Sequence, residues 1–167
     1  MKRIFAIAVS AVLVVIDQVL KLWALADLAP QGQITVIPNF FWLTYVENRG
    51  AAFGIFQDKT SILSLISLFV LIVAFGAIVS GKIKNQFLFW SVTLVLAGGA
   101  GNCIDRIGRG FVVDYLDFSS IFGFPVFNFA DCCVVIGTIL ILLYVIIFDR
   151  KEDGKNPPIA QPKHEEI

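Results

Sequence analysis

Histidine is almost absent from the chain. The only one among the 167 residues is His164, in a polar stretch close to the C-terminus. Ser-His-Asp triads and zinc sites of the H-E-x-x-H type both need histidine beside other reactive groups. A single histidine in such a terminal stretch supplies neither, so the sequence excludes these two kinds of hydrolytic site.

Charge and cysteine are also scarce. Charged residues make up 16% of the chain and the formal net charge is zero, so no basic surface for nucleic acid is predicted. The three cysteines, Cys103, Cys132 and Cys133, form neither a C-x-x-C pair nor any spacing typical of a metal site. We interpret them as small apolar side chains, and we expect no metal and no nucleic-acid partner.

Hydrophobic residues are abundant instead. They make up 57% of the chain, which favours a membrane protein. A membrane-spanning helix needs about 20 mostly apolar residues, and four stretches qualify: residues 4–28, 61–80, 87–104 and 126–148. We therefore expect an α-helical membrane protein, a four-helix bundle forming one domain over residues 1–150. The charged remainder, 151–167, is predicted to be a disordered cytoplasmic tail.

The first stretch has an alternative interpretation as a secretory signal peptide. Lys2 and Arg3 precede an apolar run, and Ala24-Leu25-Ala26 has the A-x-A form of a cleavage site. Against this, the part from residue 17 to 26 is long for a cleavage region and carries Lys21 and Trp23.

Lysine and arginine predict the orientation. The basic clusters are Lys2 and Arg3; Lys82 and Lys84; and Arg150, Lys151, Lys155 and Lys163. With four spans, all three clusters fall on the same side, so both termini are predicted to be cytoplasmic. Residues 29–60 and 105–125 are then outside. The first segment predicts short strands at the membrane interface, and the second a short interfacial helix or loop.

Three spans carry polar residues at a similar predicted depth. At about 1.5 Å per helical residue, Asp17, Asn102 and Asp131 lie roughly 20–25 Å from the cytoplasmic ends of their spans. Ionisable groups within a bilayer usually face the interior of the bundle. The sequence therefore predicts one site near the outer surface.

Each of these motifs also has a structural interpretation. Asp17 and Lys21 are four residues apart and can neutralise each other on one helix face. Asp105 and Arg106 resemble an interfacial ion pair. Asp131 can cap the start of the fourth span.

Two glycine-containing motifs have structural interpretations as well. Gly98, Gly99 and Gly101 can form a close helix-packing face. Asn48, in ENRGAAFG, can form a turn beside Gly50.

Asp114 and Asp131 are the hardest of the polar residues to explain structurally, because neither has a lysine or arginine at helical spacing. Two neighbouring carboxylates in an apolar site share a proton, so that one can activate water while the other donates to a carbonyl oxygen. This favours aspartic peptide hydrolysis. A proton or solute relay and a small assembly subunit are the alternatives.

Four motifs together resemble the lipoprotein signal peptidase (signal peptidase II) family of bacteria. They are DQVLK at 17–21, ENRGAAFGIF around Asn48, GGAGNCIDRIGRGFVVDYLD at 98–117 and FNFADCCVVIG at 127–137. The resemblance extends over nearly the whole chain, in the family's order and spacing. It implies a four-helix membrane bundle with a small extracytoplasmic sheet and a partly helical outer loop.

The resemblance also implies an activity. Such enzymes remove the signal peptide from diacylglyceryl-modified prolipoproteins, cutting on the amino side of the lipid-modified cysteine. The family's catalytic aspartates fall on Asp114 and Asp131. Its other signature positions, expected to bind substrate or support the site, are Asp17, Lys21, Asn48, Gly50, Asn102, Asp105, Arg106, Asn128 and Ala130.

Further expectations concern partners and location. The resemblance implies no metal and no organic cofactor, contact with membrane lipids, and inhibition by globomycin-type cyclic peptides. We expect a monomer in the bacterial cytoplasmic (inner) membrane, with its active site at the outer face. The family more often has serine or another small residue at the position of Cys132, beside Asp131.

Overall fold

A computed structural model describes residues 1–50 and 60–153, without the side chains of residues 60–63, 122 and 148–153. The elements in order are α1 (Lys2–Trp23), a π-helical continuation (Ala24–Leu28), β1 (Gln33–Ile37), β2 (Phe41–Asn48), α2 (Thr60–Ser80), α3 (Gln86–Gly108), β3 (Val112–Asp117), α4 (Ser119–Phe122) and α5 (Phe129–Asp153).

The helices pack around α3, which contacts α1, α2 and α5. Glycines allow the closest approaches. A Cβ on Gly98 would run into the Ala130 carbonyl oxygen of α5, and one on Gly99 would lie 3.1 Å from Leu71 Cδ2 of α2. A Cβ on Gly101 would overlap the Asp17 carboxylate of α1. The predicted glycine packing face is therefore confirmed.

Three segments of the described chain are long and apolar enough to cross a membrane: Lys2–Leu28, Gln86–Gly108 and Phe129–Ile147. A shorter apolar helix covers Ser64–Ser80. Large hydrophobic side chains are exposed on these helices, including Phe5, Phe69 and Leu142. This exposure suits a helical membrane protein, whose outer surface faces lipid rather than water.

A small antiparallel sheet has the strand order β1-β2-β3. The sequence placed short strands before α2 but predicted a helix or loop after α3. That prediction was wrong for residues 112–117, which form β3, and right for the four residues of α4. The reason is that Val112 and Val113 suit a strand and pair with β2, opposite Asn48 and Glu47.

Two further boundaries differ from the expectation. Helix α5 begins at Phe129, because Phe127 pairs with Leu116 in an isolated bridge beside the sheet. The helix also runs on to Asp153, three residues into the predicted tail. The remainder of that tail, residues 154–167, lies outside the described residues.

Candidate active site

Asp114 lies within β3 and is 1% exposed. The register of β2 and β3 sets Asn48 opposite Val112, two residues before Asp114. Asn48 and Asp114 are therefore diagonal neighbours on one face of the sheet. Asn48 Nδ2 donates a hydrogen bond of 2.9 Å to Asp114 Oδ2. The sheet thus holds this carboxyl group with a neutral amide.

Asp131 lies in the first turn of α5, where it forms a capping box with Asn128. Asn128 Oδ1 accepts from the Asp131 N–H at 2.9 Å, and Asp131 Oδ2 accepts from the Asn128 N–H at 3.2 Å. The interpretation of Asp131 as part of a helix cap is confirmed, although Asn128 is the N-cap residue. Asp131 therefore has a helical, backbone-anchored position.

The next two amides of this turn are paired with distant parts of the chain. The Phe129 N–H donates to Tyr115 Oη of β3 at 3.3 Å, and the Ala130 N–H donates to Asp17 Oδ1 of α1 at 3.0 Å. With the capping box, all four amides that a helix start leaves unpaired have acceptors. The beginning of α5 is thus fixed by α1 and by the sheet.

Side-chain amides link the two carboxyl groups. Asn128 Nδ2 donates to Asp114 Oδ1 at 2.6 Å, and Asn102 Nδ2 of α3 donates to Asp131 Oδ1 at 2.7 Å. Asn128 Nδ2 also lies 3.2 Å from Asn102 Oδ1. Asp114, Asn128, Asn102 and Asp131 therefore form one hydrogen-bonded network.

Asp114 and Asp131 both line a cleft of about 680 Å³. A cleft of this size is typical of ligand-binding sites, which are mostly apolar with a few convergent polar groups. The other lining residues are Asn48, Arg106, Val112, Phe118, Phe124, Pro125, Val126, Phe127, Cys132, Val135 and Ile136.

The proton affinity of Asp114 is unusual. Burial and, second to it, the nearby Asp131 carboxylate raise the pKa of its carboxyl group from 3.8 to about 7. Hydrogen bonds from Asn48 and Asn128 oppose this shift of the pKa. A carboxyl group that changes its charge near neutral pH is suited to proton transfer.

A buried ion cluster lies behind this network. Lys21 Nζ, which is fully buried, is 3.0 Å from Asp17 Oδ2 and 3.0 Å from Asp105 Oδ2. It also donates to Asn102 Oδ1 at 2.8 Å. The predicted Asp17–Lys21 pair is confirmed, and Asp105 belongs to the same cluster. Helix α1 supplies two members of this buried cluster, Asp17 and Lys21, so it is an integral part of the fold. This disfavours the signal-peptide interpretation.

The predicted pair between Asp105 and Arg106 was wrong. Neighbouring helical residues do not face each other, so Asp105 turns inward while Arg106 lines the cleft. Arg106 Nη1 is 3.5 Å from Ser67 Oγ of α2, and its buried Nε has no hydrogen-bond partner among the described residues. Asp105 pairs instead with Arg109, one helical turn further on.

Sequence reasoning missed Gln18 and Arg109. Gln18 Nε2 lies 3.2 Å from an oxygen of both Asp17 and Asp105, and Arg109 Nη1 donates to Gln18 Oε1 at 3.0 Å. The four-residue spacing of Asp105 and Arg109 was a usable signal. No comparable spacing pointed to Gln18.

The remaining predicted residues have backbone roles. The Gly50 N–H donates to Asn48 Oδ1 at 3.0 Å, so Asn48 both forms the predicted turn and contacts Asp114. Ala130 contributes its amide to Asp17. Among the described residues, no group of three histidine, cysteine, aspartate or glutamate side chains is arranged to hold a metal.

Comparison with known proteins assigns this site to a family. The family described as signal peptidase (SPase) II matches residues 9–147. The chain belongs to the signal peptidase II family, and it is a peptidase. The resemblance in the four motifs is thereby confirmed, and the peptidase hypothesis prevails over the relay and the assembly subunit.

Relatives in this family match most of the chain. The lipoprotein signal peptidase of Clostridium acetobutylicum is 44% identical over 151 residues, covering 89% of this chain and 98% of that protein. That of Streptococcus pneumoniae is 40% identical over 151 residues, covering 87% and 94%. A bacterial membrane enzyme whose structure was determined by the in meso method at 2.3 Å is 32% identical, with a TM-score of 0.77 and 94% of each chain covered.

Proposed function

We propose that this family member is a membrane aspartic endopeptidase that removes the signal peptide from diacylglyceryl-modified prolipoproteins, with Asp114 and Asp131 as its catalytic pair. The observation that carries the proposal is that two carboxyl groups from different elements line one apolar cleft and both accept hydrogen bonds from Asn128, one from its side-chain amide and one from its backbone N–H. The names of the relatives supply the substrate class.

In the proposed reaction the pair shares one proton. Asp114 carries it near neutral pH, in keeping with its raised pKa. Asp131, which lies in the first turn of a helix where negative charge is favoured, takes a proton from water. The water oxygen attacks the carbonyl carbon on the amino side of the lipid-modified cysteine, and Asp114 donates its proton to the carbonyl oxygen. Collapse of the tetrahedral intermediate breaks the C–N bond. One of its hydroxyl groups returns a proton to Asp114 as the carboxylic acid forms, and the leaving amine takes the proton from Asp131.

The surrounding residues support this chemistry without reacting. Asn48, Asn128 and Asn102 orient the two carboxyl groups through the hydrogen bonds described above. Arg106 and the apolar side chains of the cleft are placed to contact the substrate or its lipid. We infer no metal or organic cofactor for this mechanism, and we expect globomycin-type peptides to compete for the cleft.

We also propose that α2 is a fourth membrane span. Its 21 residues, Thr60–Ser80, correspond to about 31 Å of helix, close to the thickness of the hydrocarbon core. Four spans place both termini on the same side, which we propose is the cytoplasm, with the cleft at the outer face. We further propose that the protein is a monomer in the bacterial inner membrane.

The decisive experiment compares Asp114→Asn and Asp131→Asn with the unchanged enzyme. Purified variants are incubated with a diacylglyceryl-modified precursor and with its unmodified form, and the size reduction of each is followed. Each variant should lose about 10³-fold or more of the cleavage rate, because it lacks one of the two proton-transfer groups. Only the modified precursor should be cut by the unchanged enzyme.

Two controls make this experiment specific. Asp27→Asn removes an exposed carboxylate just beyond α1 and should retain full activity. The Asp114→Asn/Asp131→Asn double variant should be little worse than either single variant, because groups that act as a unit are not additive. Substantial turnover by either folded single variant would mean that its aspartate is structural.

A further inference from the structure

Two buried carboxylates hold the backbone directly before the proposed catalytic pair. The amide of Val113, which precedes Asp114, donates to Asp105 Oδ2 at 3.1 Å. The amide of Ala130, which precedes the second aspartate of the pair, donates to Asp17 Oδ1 at 3.0 Å. Each strand or helix that carries a catalytic carboxyl group is therefore anchored by a different buried acid.

Lys21 joins these two anchors. Its ammonium group lies 3.0 Å from Asp17 Oδ2 and 3.0 Å from Asp105 Oδ2, and its third short contact is Asn102 Oδ1 at 2.8 Å. An ammonium group has three N–H donors, so all of them are used. The contact with Asn102 also turns the amide so that its Nδ2 faces Asp131.

The cluster has no direct access to substrate. Asp17, Lys21 and Asp105 are almost fully buried, and none of them lines the cleft. Lys21 and Arg109 balance the charges of the two aspartates. Lys21 is therefore unsuited to binding substrate. It reaches the catalytic pair only through Asn102, which contacts both Lys21 and Asp131.

We propose that Lys21 is a positioning residue, which sets the separation of Asp114 and Asp131 by bridging the two carboxylates that anchor the preceding amides. The inference rests on the proposed catalytic pair. Proton transfer between a shared water, a carbonyl oxygen and two carboxyl groups requires accurate placement, and a displacement of about 1 Å can cost about 100-fold in rate. Lys21 contributes no proton and no substrate contact.

The test separates positioning from charge balance. Lys21→Met keeps most of the length of the side chain but leaves the cluster with one excess negative charge, so it lowers stability as well as rate. Lys21→Met/Asp17→Asn removes one charge of each sign, and its asparagine still offers an oxygen to Ala130. Lys21→Arg retains the charge but replaces the compact ammonium group with a planar guanidinium. Thermal unfolding, kcat and KM are measured for each variant with the lipid-modified precursor.

We expect Lys21→Met/Asp17→Asn to unfold near the temperature of the unchanged enzyme and to lose about 100-fold in kcat at unchanged KM. Lys21→Arg should also show a lowered kcat at unchanged KM. Lys82→Met, at an exposed lysine between α2 and α3, should change neither parameter. Should the double variant recover both stability and kcat, or Lys21→Arg retain the full rate, Lys21 would serve only to balance charge and the proposal would be wrong.

The same assay distinguishes failure of this inference from failure of the proposed function. Asp131→Asn is measured alongside the Lys21 variants. Loss of cleavage in Asp131→Asn with a normal rate in the Lys21 variants overturns the positioning role alone. Normal cleavage by Asp131→Asn overturns the catalytic pair, and with it the basis for this role.

Discussion

At the level of single residues, the partners of Asp114 determine how strongly it holds its proton. Burial and the Asp131 carboxylate raise its pKa to about 7, whereas the hydrogen bonds from Asn48 and Asn128 lower it. Below about pH 7 the carboxyl group is protonated and can donate to a carbonyl oxygen. Above that pH the proton is lost, so kcat/KM of the peptidase should fall as the pH rises through about 7.

Asn48→Ala should move this alkaline limit to higher pH. The Asn48 Nδ2–H donates to Asp114 Oδ2 and therefore favours the ionised carboxylate. Its removal favours the protonated form, which raises the pKa of Asp114. The measurement is kcat/KM over a pH series, because its pH dependence reports the pKa values of the free enzyme.

A matched control is available on the same strand. Glu47→Gln alters an exposed side chain whose partners are Arg49 and Tyr45, so the alkaline limit should stay where it is. The overall rate of Asn48→Ala should also drop, because Asn48 supports the turn at Gly50. A limit that stays unchanged or moves to lower pH in Asn48→Ala would show that Asp114 is not the group that titrates.

The sequence predicted which residues form the site better than it predicted their partners. Asp17, Asn102 and Asp131 were predicted to lie at comparable depths in their spans, and the structure does bring them into one connected network. The partners of Asp105 were harder to assign, because a side chain near the end of α3 can reach a neighbouring helix, a strand or the next turn of the chain. Only the tertiary structure shows that Lys21 and Arg109 reach it.

At the level of elements, close packing of α3 against α5 brings the start of α5 to the network. The faces of α3 differ in what opposes them. Gly98 faces the Ala130 carbonyl oxygen in the backbone of α5, whereas Gly99 faces only the end of the Leu71 side chain on α2. Backbone cannot move aside cheaply, but the end of a leucine side chain can.

Gly98→Ala should therefore destabilise the enzyme by about 1–3 kcal/mol, as overpacking in a tight core does. Gly99→Ala should be nearly neutral. Thermal unfolding in detergent and the cleavage rate are the two measurements. The rate of Gly98→Ala should fall further than its folded fraction, because the added methyl group pushes on Ala130, the residue beside Asp131. Equal stability of the two variants would contradict this account of the helix interface.

The element that the sequence misassigned is β3. Its residues VVDYLD include two aspartates, and an aromatic run containing α4 follows them. The whole segment therefore has the composition of an amphipathic helix or loop at the membrane interface. The pairing partner, β2, is separated from it by two complete helices. A strand whose register is set by such a distant partner gives only a weak local signal, whereas the long apolar helices are evident from their composition.

At the level of the whole molecule, two basic clusters lie at the end opposite the network. Arg3 Nη1 donates to the Val79 carbonyl near the end of α2 at 2.9 Å, and Lys2 Nζ lies 4.1 Å from the ring centre of Phe89 near the start of α3. The N-terminus and the α2–α3 connection are thus on one side of the bundle. Cytoplasmic connections are enriched in lysine and arginine, so we expect the proposed cleft on the outer side.

Reporter fusions test this orientation, and α2 decides the number of spans. Fusions truncated after Asp58 and after Gly123 should give extracytoplasmic signals, since they fall in the two outer segments. Fusions after Lys84 and after Lys151 should give cytoplasmic signals, because α2 and α5 return the chain across the bilayer. If α2 did not span, the Asp58 and Lys84 fusions would report the same side. That result would reduce the bundle to three spans and place its two termini on opposite faces, which the shared basic end of α1, α2 and α3 argues against.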